Sequence, residues 1–257
     1  MTPAERIAAA RRELETARKE VAAQLAHERS RRRGPLLRQL HELQRMLDPA
    51  YPFHSQAGQD AVVDQIFKGK RGGTFADIGA YDGITGSNTL FFEMRRGWTG
   101  LLVEPVPSQH RVAEGLRRSP CLPCAVSATA GDAEFIEVTE GFTQMSGLAE
   151  SYDQGLLARV RADPRHREEV LRVETRTLSS LLEDSGIPHP DFVSLDIEGG
   201  EAAVLAAFPF DRHRVAVWAI ENNDASPEIA RIMRASGHDL VEFCGVDEIW
   251  RRRDLSL

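Results

Sequence analysis

Lysine, cysteine and long apolar runs are the scarce features of this chain. Lysine occurs three times in 257 residues, at Lys19, Lys68 and Lys70, beside 29 arginines. Such a bias points to a GC-rich bacterial genome rather than to a mechanism. Three cysteines, Cys121, Cys124 and Cys244, are too few for a disulfide framework. Cys121-x-x-Cys124 has redox or metal spacing, yet no two further Cys or His ligands stand at a spacing that would complete a zinc site. The pair reads as two thiols flanking a buried strand in a reducing cytoplasm. No stretch approaches the roughly 20 apolar residues of a membrane-spanning helix. The first fifteen residues are charged from Glu5 onward and lack the apolar core of a secretory signal. A soluble, cytoplasmic protein is therefore expected, neither membrane-spanning nor secreted. Charge is unevenly spread: residues 1–50 carry +4 and the remainder −11. An acidic main body offers no surface for nucleic acid, and Arg31-Arg32-Arg33 reads as a solvated turn.

What is present divides near residue 50. Residues 2–29 read as one helix, with Thr2 as cap, Pro3 in the first turn and Glu5 closing a capping box. Ile7, Leu14 and Val21 repeat every seven residues, widened by Ala10, Ala17 and Leu25. Gly34-Pro35 breaks the pattern, and Leu36, Leu40, Leu43 and Leu47 form a second stripe that ends at Asp48-Pro49. Residues 1–50 are thus expected to be a helical hairpin. Its apolar surface could be covered by the chain's own body or by a second subunit in a homodimer.

From residue 74 the pattern alternates. Strands are expected at 74–78, 100–104, 191–195, 215–220 and 239–243, with an apolar segment at 121–126. Phe135–Val138 alternates like an antiparallel or edge strand. Helices are expected at 87–95, 107–118, from Thr177 to about Asp184, at 199–207 and at 227–235. Residues 139–170 fit no regular part of this plan and read as a flap around Gly141, Phe142, Met145 and Gly147, with a short helix near Tyr152–Val160. Alternation of this kind predicts an α/β fold for residues 51–257, doubly wound around a mostly parallel sheet.

Ligands of such sheets bind beyond the carboxyl ends of the strands, so the strand ends carry the chemistry. The first ends in Asp77-Ile78-Gly79-Ala80-Tyr81-Asp82-Gly83, which is neither the G-x-G-x-x-G turn of a dinucleotide site nor a P-loop. Pyrophosphate binding is disfavoured, and with it an NAD-dependent oxidoreductase. The second strand ends in Glu104-Pro105, where a carboxylate can accept hydrogen bonds from ribose hydroxyls. A nucleoside without pyrophosphate describes S-adenosylmethionine. Asp196-Ile197-Glu198-Gly199-Gly200-Glu201 and Glu221-Asn222-Asn223 end two later strands. Paired carboxylates there could act as a base or hold a divalent cation. Glu198 and Glu201 are expected to cap or orient, which leaves no third carboxylate clearly placed for a metal and favours a metal-free site.

Taken in order, these segments resemble the FkbM family of S-adenosylmethionine-dependent methyltransferases over roughly residues 54–251. The markers are Ser55–Asp60, Asp77–Gly83, Ser87-Asn88-Thr89, Gly97–Pro105, Ala125-Val126-Ser127, Phe192–Glu201 and Asp247–Trp250. Gln59 stands where the family often has an acidic residue. The resemblance implies a class I methyltransferase fold that methylates a hydroxyl of a sugar, glycan or natural-product acceptor. It implies that Asp77, Gly79 and Ala80 line the methionine end of the cofactor, that Glu104 binds ribose, and that Ser87 and Asn88 face the cofactor carboxylate. Ser55, Gln56 and Asp60 are expected to close over the cleft from the N-terminal side, and Ser127 and Asp196 complete the cofactor set. A hydroxyl acceptor must lose its proton, for which Asp196, Glu221 and His54 are the candidates. A non-catalytic scaffold of the same fold is the other alternative.

Overall fold

The computed structural model describes residues 1–255, and its elements follow from local sequence chemistry. Helices α1 (Pro3–His27) and α2 (Arg33–Leu47) form the expected hairpin, with both hydrogen bonds of the Thr2–Glu5 capping box in place. The body then runs α3 (Gln59–Ile66), β1 (Thr74–Ile78), β2 (Thr99–Val103), α4 (Pro107–Leu116), β3 (Cys121–Leu122), β4 (Ala125–Val126) and β5 (Gly131–Glu140). It continues with β6 (Gly147–Leu148), α5 (Gln154–Arg161), β7 (Arg167–Arg176), α6 (Leu178–Asp184), β8 (Phe192–Leu195) and α7 (Glu201–Ala207). The last elements are β9 (Val217–Ile220), α8 (Pro227–Ala235), β10 (His238–Cys244) and β11 (Asp247–Arg252). Among the described residues no helix is long and apolar enough to cross a membrane.

Seven strands form the main sheet in the order β10-β11-β9-β8-β1-β2-β3. The run β3-β2-β1-β8-β9 is parallel, and β11 and β10 close the edge antiparallel. Successive side chains of a strand point to opposite faces, and both faces here are apolar. Phe75 and Leu102 enter one core with Val63, Phe92 and Trp98. Ala76, Ile78 and Leu101 enter the other with Leu181, Leu205 and Met233. Helices must therefore cover both faces, which is the doubly wound arrangement.

Three expectations need correction. The apolar segment 121–126 is not one strand: Cys121-Leu122 joins the main sheet and Ala125-Val126 joins a second, four-stranded sheet in the order β4-β7-β5-β6. That sheet takes in part of the span read as a flap, because β7 begins at Arg167 and pairs antiparallel with β5. Strand β7 opens on the charged run Arg167-Glu168-Glu169, and only its second half alternates, turning Leu171 and Val173 toward Phe135 and Leu148 while Arg172 faces Asp132 (3.6 Å) on the exposed side. The helix expected at 87–95 starts later, at Leu90, and is π-helical over Phe92–Arg96 before Gly97 ends it. There Phe91, Phe92 and Trp98 pack ring against ring, with centroids 4.7–5.3 Å apart.

The arginine run is the third. Gly34-Pro35 lies inside the first turn of α2, and Arg31 and Arg33 are not solvated but fasten the hairpin to the sheet edge. Arg31 reaches Glu248 (2.5 Å) and the carbonyls of Asn222 and Val246. Arg33 grips both oxygens of Glu242 (2.6 and 2.5 Å). Gly34 sits so close to the β10–β11 turn that a Cβ there would lie 2.0 Å from the Gly245 carbonyl oxygen. Val21, Leu25 and His41 are buried, whereas Ile7, toward the free end of α1, is 71% exposed. Bidentate, partly buried pairs outweigh exposed ones. Arg33→Ala is accordingly expected to cost about 1–3 kcal/mol in urea unfolding, while Arg38→Ala, whose partner Glu42 is exposed, stays within about 0.5 kcal/mol.

Candidate active site

The carboxyl ends of β1, β2, β8 and β9 open into one cavity of about 370 Å³. Its geometry begins with Gly79. That residue has φ +84°, and a Cβ on it would lie 1.7 Å from the Asp196 carbonyl oxygen. Only glycine lets the loops after β1 and β8 touch, so the two halves of the cleft meet at this point.

In one half, Asp77 is fully buried and binds its own loop. It accepts hydrogen bonds from the hydroxyls of Thr89 (2.6 Å) and Ser87 (3.2 Å), with the buried Arg117 guanidinium 3.9 Å away. Burial pushes its pKa up while Arg117 pulls against that. Asn88 donates to the Ser194 hydroxyl (2.9 Å) and leaves its carbonyl Oδ1 buried without a partner. Glu104 accepts the Tyr81 and Val106 backbone N–H groups, each at 2.8 Å. Burial nevertheless pushes its carboxyl up to about 8.

In the other half, oxygens of Asp196, Glu198 and Glu221 lie within 4.8 Å of one another. Burial first, then repulsion from nearby carboxylates, raises all three. Asp196, raised by Asp247 and Glu201 while its hydrogen bond with Glu221 pulls the other way, reaches about 8, and Asp196 in turn raises Glu198 and Glu221. Oε2 of Glu221 is buried with no hydrogen-bond partner. Glu201 is the orienting residue expected, accepting the N–H groups of Ile197 and Gly199 at 3.1 Å. Asp247, pushed up to about 6, is held by Gln59 Nε2 at 2.9 Å. This gives neutral Gln59 a hydrogen-bonding task where a further carboxylate would repel.

Of the residues expected from sequence, Gln56, Asp77, Gly79, Ala80, Ser87, Asn88, Glu104, Asp196 and Glu221 line the cleft. His54 does not. Asp60 captures the backbone N–H groups of His54 and Ser55 (2.6 and 3.2 Å), and the loop then presents Gln56 to the cavity instead. Ser127 also lies outside the lining; its N–H is spent on the Arg176 carbonyl, and Val126 faces the cavity. Asn222 turns away to Glu248 (2.9 Å) and the Ser226 carbonyl (3.1 Å), leaving Asn223 as the lining residue beside Glu198. Glu198 is the third carboxylate that strand-end reasoning did not place. Its φ of +59°, ahead of two left-handed glycines, folds it back beside Asp196. The hairpin too reaches the rim through Pro35 and Arg38. Thr143–Ser146 and Leu148 roof the cavity, as expected of a flap. Cys121 and Cys124 are buried, unpaired and raised to about 12 and 11, so neither offers a thiolate.

The family model of the methyltransferase FkbM domain matches residues 77–243, and the chain belongs to that family. Similar solved structures include the methyltransferase FkbM from Methylobacillus flagellatus KT, at TM-score 0.46 and 12% identity over 92% of this chain. This chain spans 58% of the length of that protein. A TehB-like SAM-dependent methyltransferase from Corynebacterium glutamicum ATCC 13032 Kitasato is similar at TM-score 0.38 and 12% identity, over 82% of this chain and 96% of that one. Precorrin-6y C5,15-methyltransferase from Geobacter metallireducens GS-15 has TM-score 0.38 and 11% identity, over 78% and 89%. No curated protein matches.

The acid cluster makes stability depend on pH. A carboxyl whose folded pKa is raised contributes stability that is full below its unfolded value near 4 and is lost as pH rises through the folded value. Asp247, Glu104 and Asp196 set that window from about 6 to about 8. The ligand-free protein should therefore melt at a lower temperature at pH 9 than at pH 5.5. Asp196→Asn should flatten the slope in thermal scans across that range.

Proposed function

We propose that the protein transfers a methyl group from S-adenosylmethionine to a hydroxyl of a sugar, glycan or natural-product acceptor. The observation that carries this reading is the division of one cleft between a ribose-type carboxylate, Glu104, and a facing group of three carboxylates, in a chain of the FkbM family. The residues present fit such a cofactor. Asn88 Oδ1 is a buried acceptor in want of a donor, and Glu104 faces the cavity with its oxygens held by backbone amides. The acidic lining favours a ligand that brings positive charge. A cavity of about 370 Å³ is within the range that buries small ligands.

The cofactor, when bound, supplies a methyl group already activated on a sulfonium, so the protein's task is alignment and proton removal. Glu104 would accept from ribose hydroxyls. Asn88, whose amide N–H₂ is spent on Ser194, would offer Oδ1 to the cationic amino end rather than face the cofactor carboxylate as the resemblance implied. Asp77 keeps the Ser87–Thr89 turn in place through the hydroxyls it already holds. On the far side Asp196, paired with Glu221, takes the proton that leaves the acceptor hydroxyl. A raised carboxyl pKa suits that role near neutral pH, and positive charge in the cleft favours the ionised form. Thr143–Ser146 exclude water from above and contact the acceptor.

A second reading has its own observation. With Glu198 beside Asp196 and Glu221, three oxygen donors stand close enough to hold Mg²⁺ or Ca²⁺, and the cation would then acidify the hydroxyl. The same proposal puts the chain in a reducing cytoplasm, in keeping with its three free cysteines, and pairs two copies through the exposed end of α1. Size measurement of the full chain against an Ile7→Glu variant tests that pairing.

Calorimetry with S-adenosylhomocysteine tests the cofactor. Glu104→Ala should weaken binding about 10- to 100-fold, the cost of leaving buried hydroxyls unpaired, and NAD should not bind. Asp196→Asn should keep cofactor affinity and lose about a hundredfold or more in turnover on a hydroxyl acceptor. Activity that survives a chelator supports the base; activity abolished by chelator and restored by Mg²⁺ supports the cation.

A further inference from the structure

Tyr81 joins the cofactor half of the cleft to the flap that roofs it, in a way that neither the proton transfer nor cofactor binding uses. It is a non-glycine residue at φ +50°, a left-handed conformation that a bulky side chain enters only when its surroundings fix it. Two contacts do so. Its backbone N–H donates to Glu104 Oε2 at 2.8 Å, and its phenol oxygen meets the Thr143 hydroxyl, also at 2.8 Å. Thr143 heads the flap segment whose members Thr143–Ser146 roof the cavity.

The flap is otherwise tied chiefly to its own sheet. Tyr152 donates its hydroxyl to the Met145 carbonyl, Val138 N–H donates to Ser146 Oγ (3.0 Å), and Ser146 Oγ donates to the Thr143 carbonyl (3.2 Å). Across the cavity the flap also reaches the Thr85 carbonyl, through Gln144 at 3.5 Å. Phe142 at its tip is 49% exposed. The flap is thus held down over the β1 loop by Tyr81 and, at longer range, by Gln144.

We propose that Tyr81 is a positioning residue, a latch whose hold on the acceptor-side flap tightens in response to a ligand on Glu104. The inference rests on the cofactor reading given above. Ribose hydroxyls donating to Glu104 favour its ionised form, and a charged acceptor strengthens the Tyr81 N–H bond. That bond fixes residue 81 in its left-handed conformation and aims the phenol at Thr143. The cofactor therefore binds before the flap is fixed, and the acceptor meets a flap already ordered by the cofactor.

Hydrogen exchange at residues 141–149, with and without S-adenosylhomocysteine, tests the latch on the full chain. In the wild type the ligand should slow exchange there about fivefold or more, the scale of one net hydrogen bond. Tyr81→Phe keeps the N–H and should hold S-adenosylhomocysteine affinity within about threefold while abolishing the ligand-induced slowing. Thr143→Val, on the flap itself, should do the same, and the double variant should add nothing further. Ligand-induced slowing equal to wild type in both single variants overturns the latch and leaves the cofactor reading intact. Absence of S-adenosylhomocysteine binding to the wild type, seen by calorimetry, overturns the cofactor reading and the latch with it.

Discussion

The contact between Gly79 and the Asp196 carbonyl is the constraint on which the rest of the cleft depends. Two central parallel strands, β1 and β8, end side by side, and their loops must cross the same space. A missing Cβ lets them pass at a distance no other residue allows. Because they meet there, the turn that carries Asp77 and leads to Tyr81 faces the turn that carries Asp196 and Glu198. A cofactor half and an acid half become one cavity. Everything proposed about function is a consequence of that approach.

The electrostatics follow from the same crowding. Five acidic groups, Asp196, Glu198, Glu201, Glu221 and Asp247, are buried or half-buried near one another; burial raises each of them, and Asp196, Glu201 and Asp247 raise neighbours in turn. Burial of like charge costs stability unless protons, hydrogen bonds or a cationic ligand offset it. Glu201 is satisfied by backbone amides and Asp247 by Gln59. Asp196, Glu198 and Glu221 stand together without such a set of donors, and Glu221 Oε2 has no hydrogen-bond partner. A ligand that brings positive charge would offset the burial of this group.

The hairpin has a different status from the body. It lies outside the family match, yet its ion pairs anchor it to the β10–β11 edge, and Pro35 and Arg38 reach the cleft rim. An appendage fastened that way becomes part of the wall. Its arginines looked solvated in the sequence because their partners, Glu242 and Glu248, are about two hundred residues away. No local pattern records such a pairing.

By itself the sequence determined the elements whose burial is periodic or whose ends are capped. Thr2–Glu5 announces α1, the apolar runs at 74–78 and 191–195 are parallel strands buried on both faces, and α8 falls where Ser226-Pro227 starts it. Glycine and carboxylate at strand ends identified Asp77, Gly79, Glu104, Asp196 and Glu221, since the topology of an α/β sheet sends such residues to one edge. Tertiary structure decided the rest. It split residues 121–126 between two sheets, paired β5 with a β7 that opens on the charged run Arg167-Glu168-Glu169, and turned Gln56 inward in place of His54. It also folded Glu198 back beside Asp196. In each case the deciding interaction is a backbone hydrogen bond, a left-handed turn or a distant ion pair, and none of these leaves a period or a motif in the chain that a linear reading could detect.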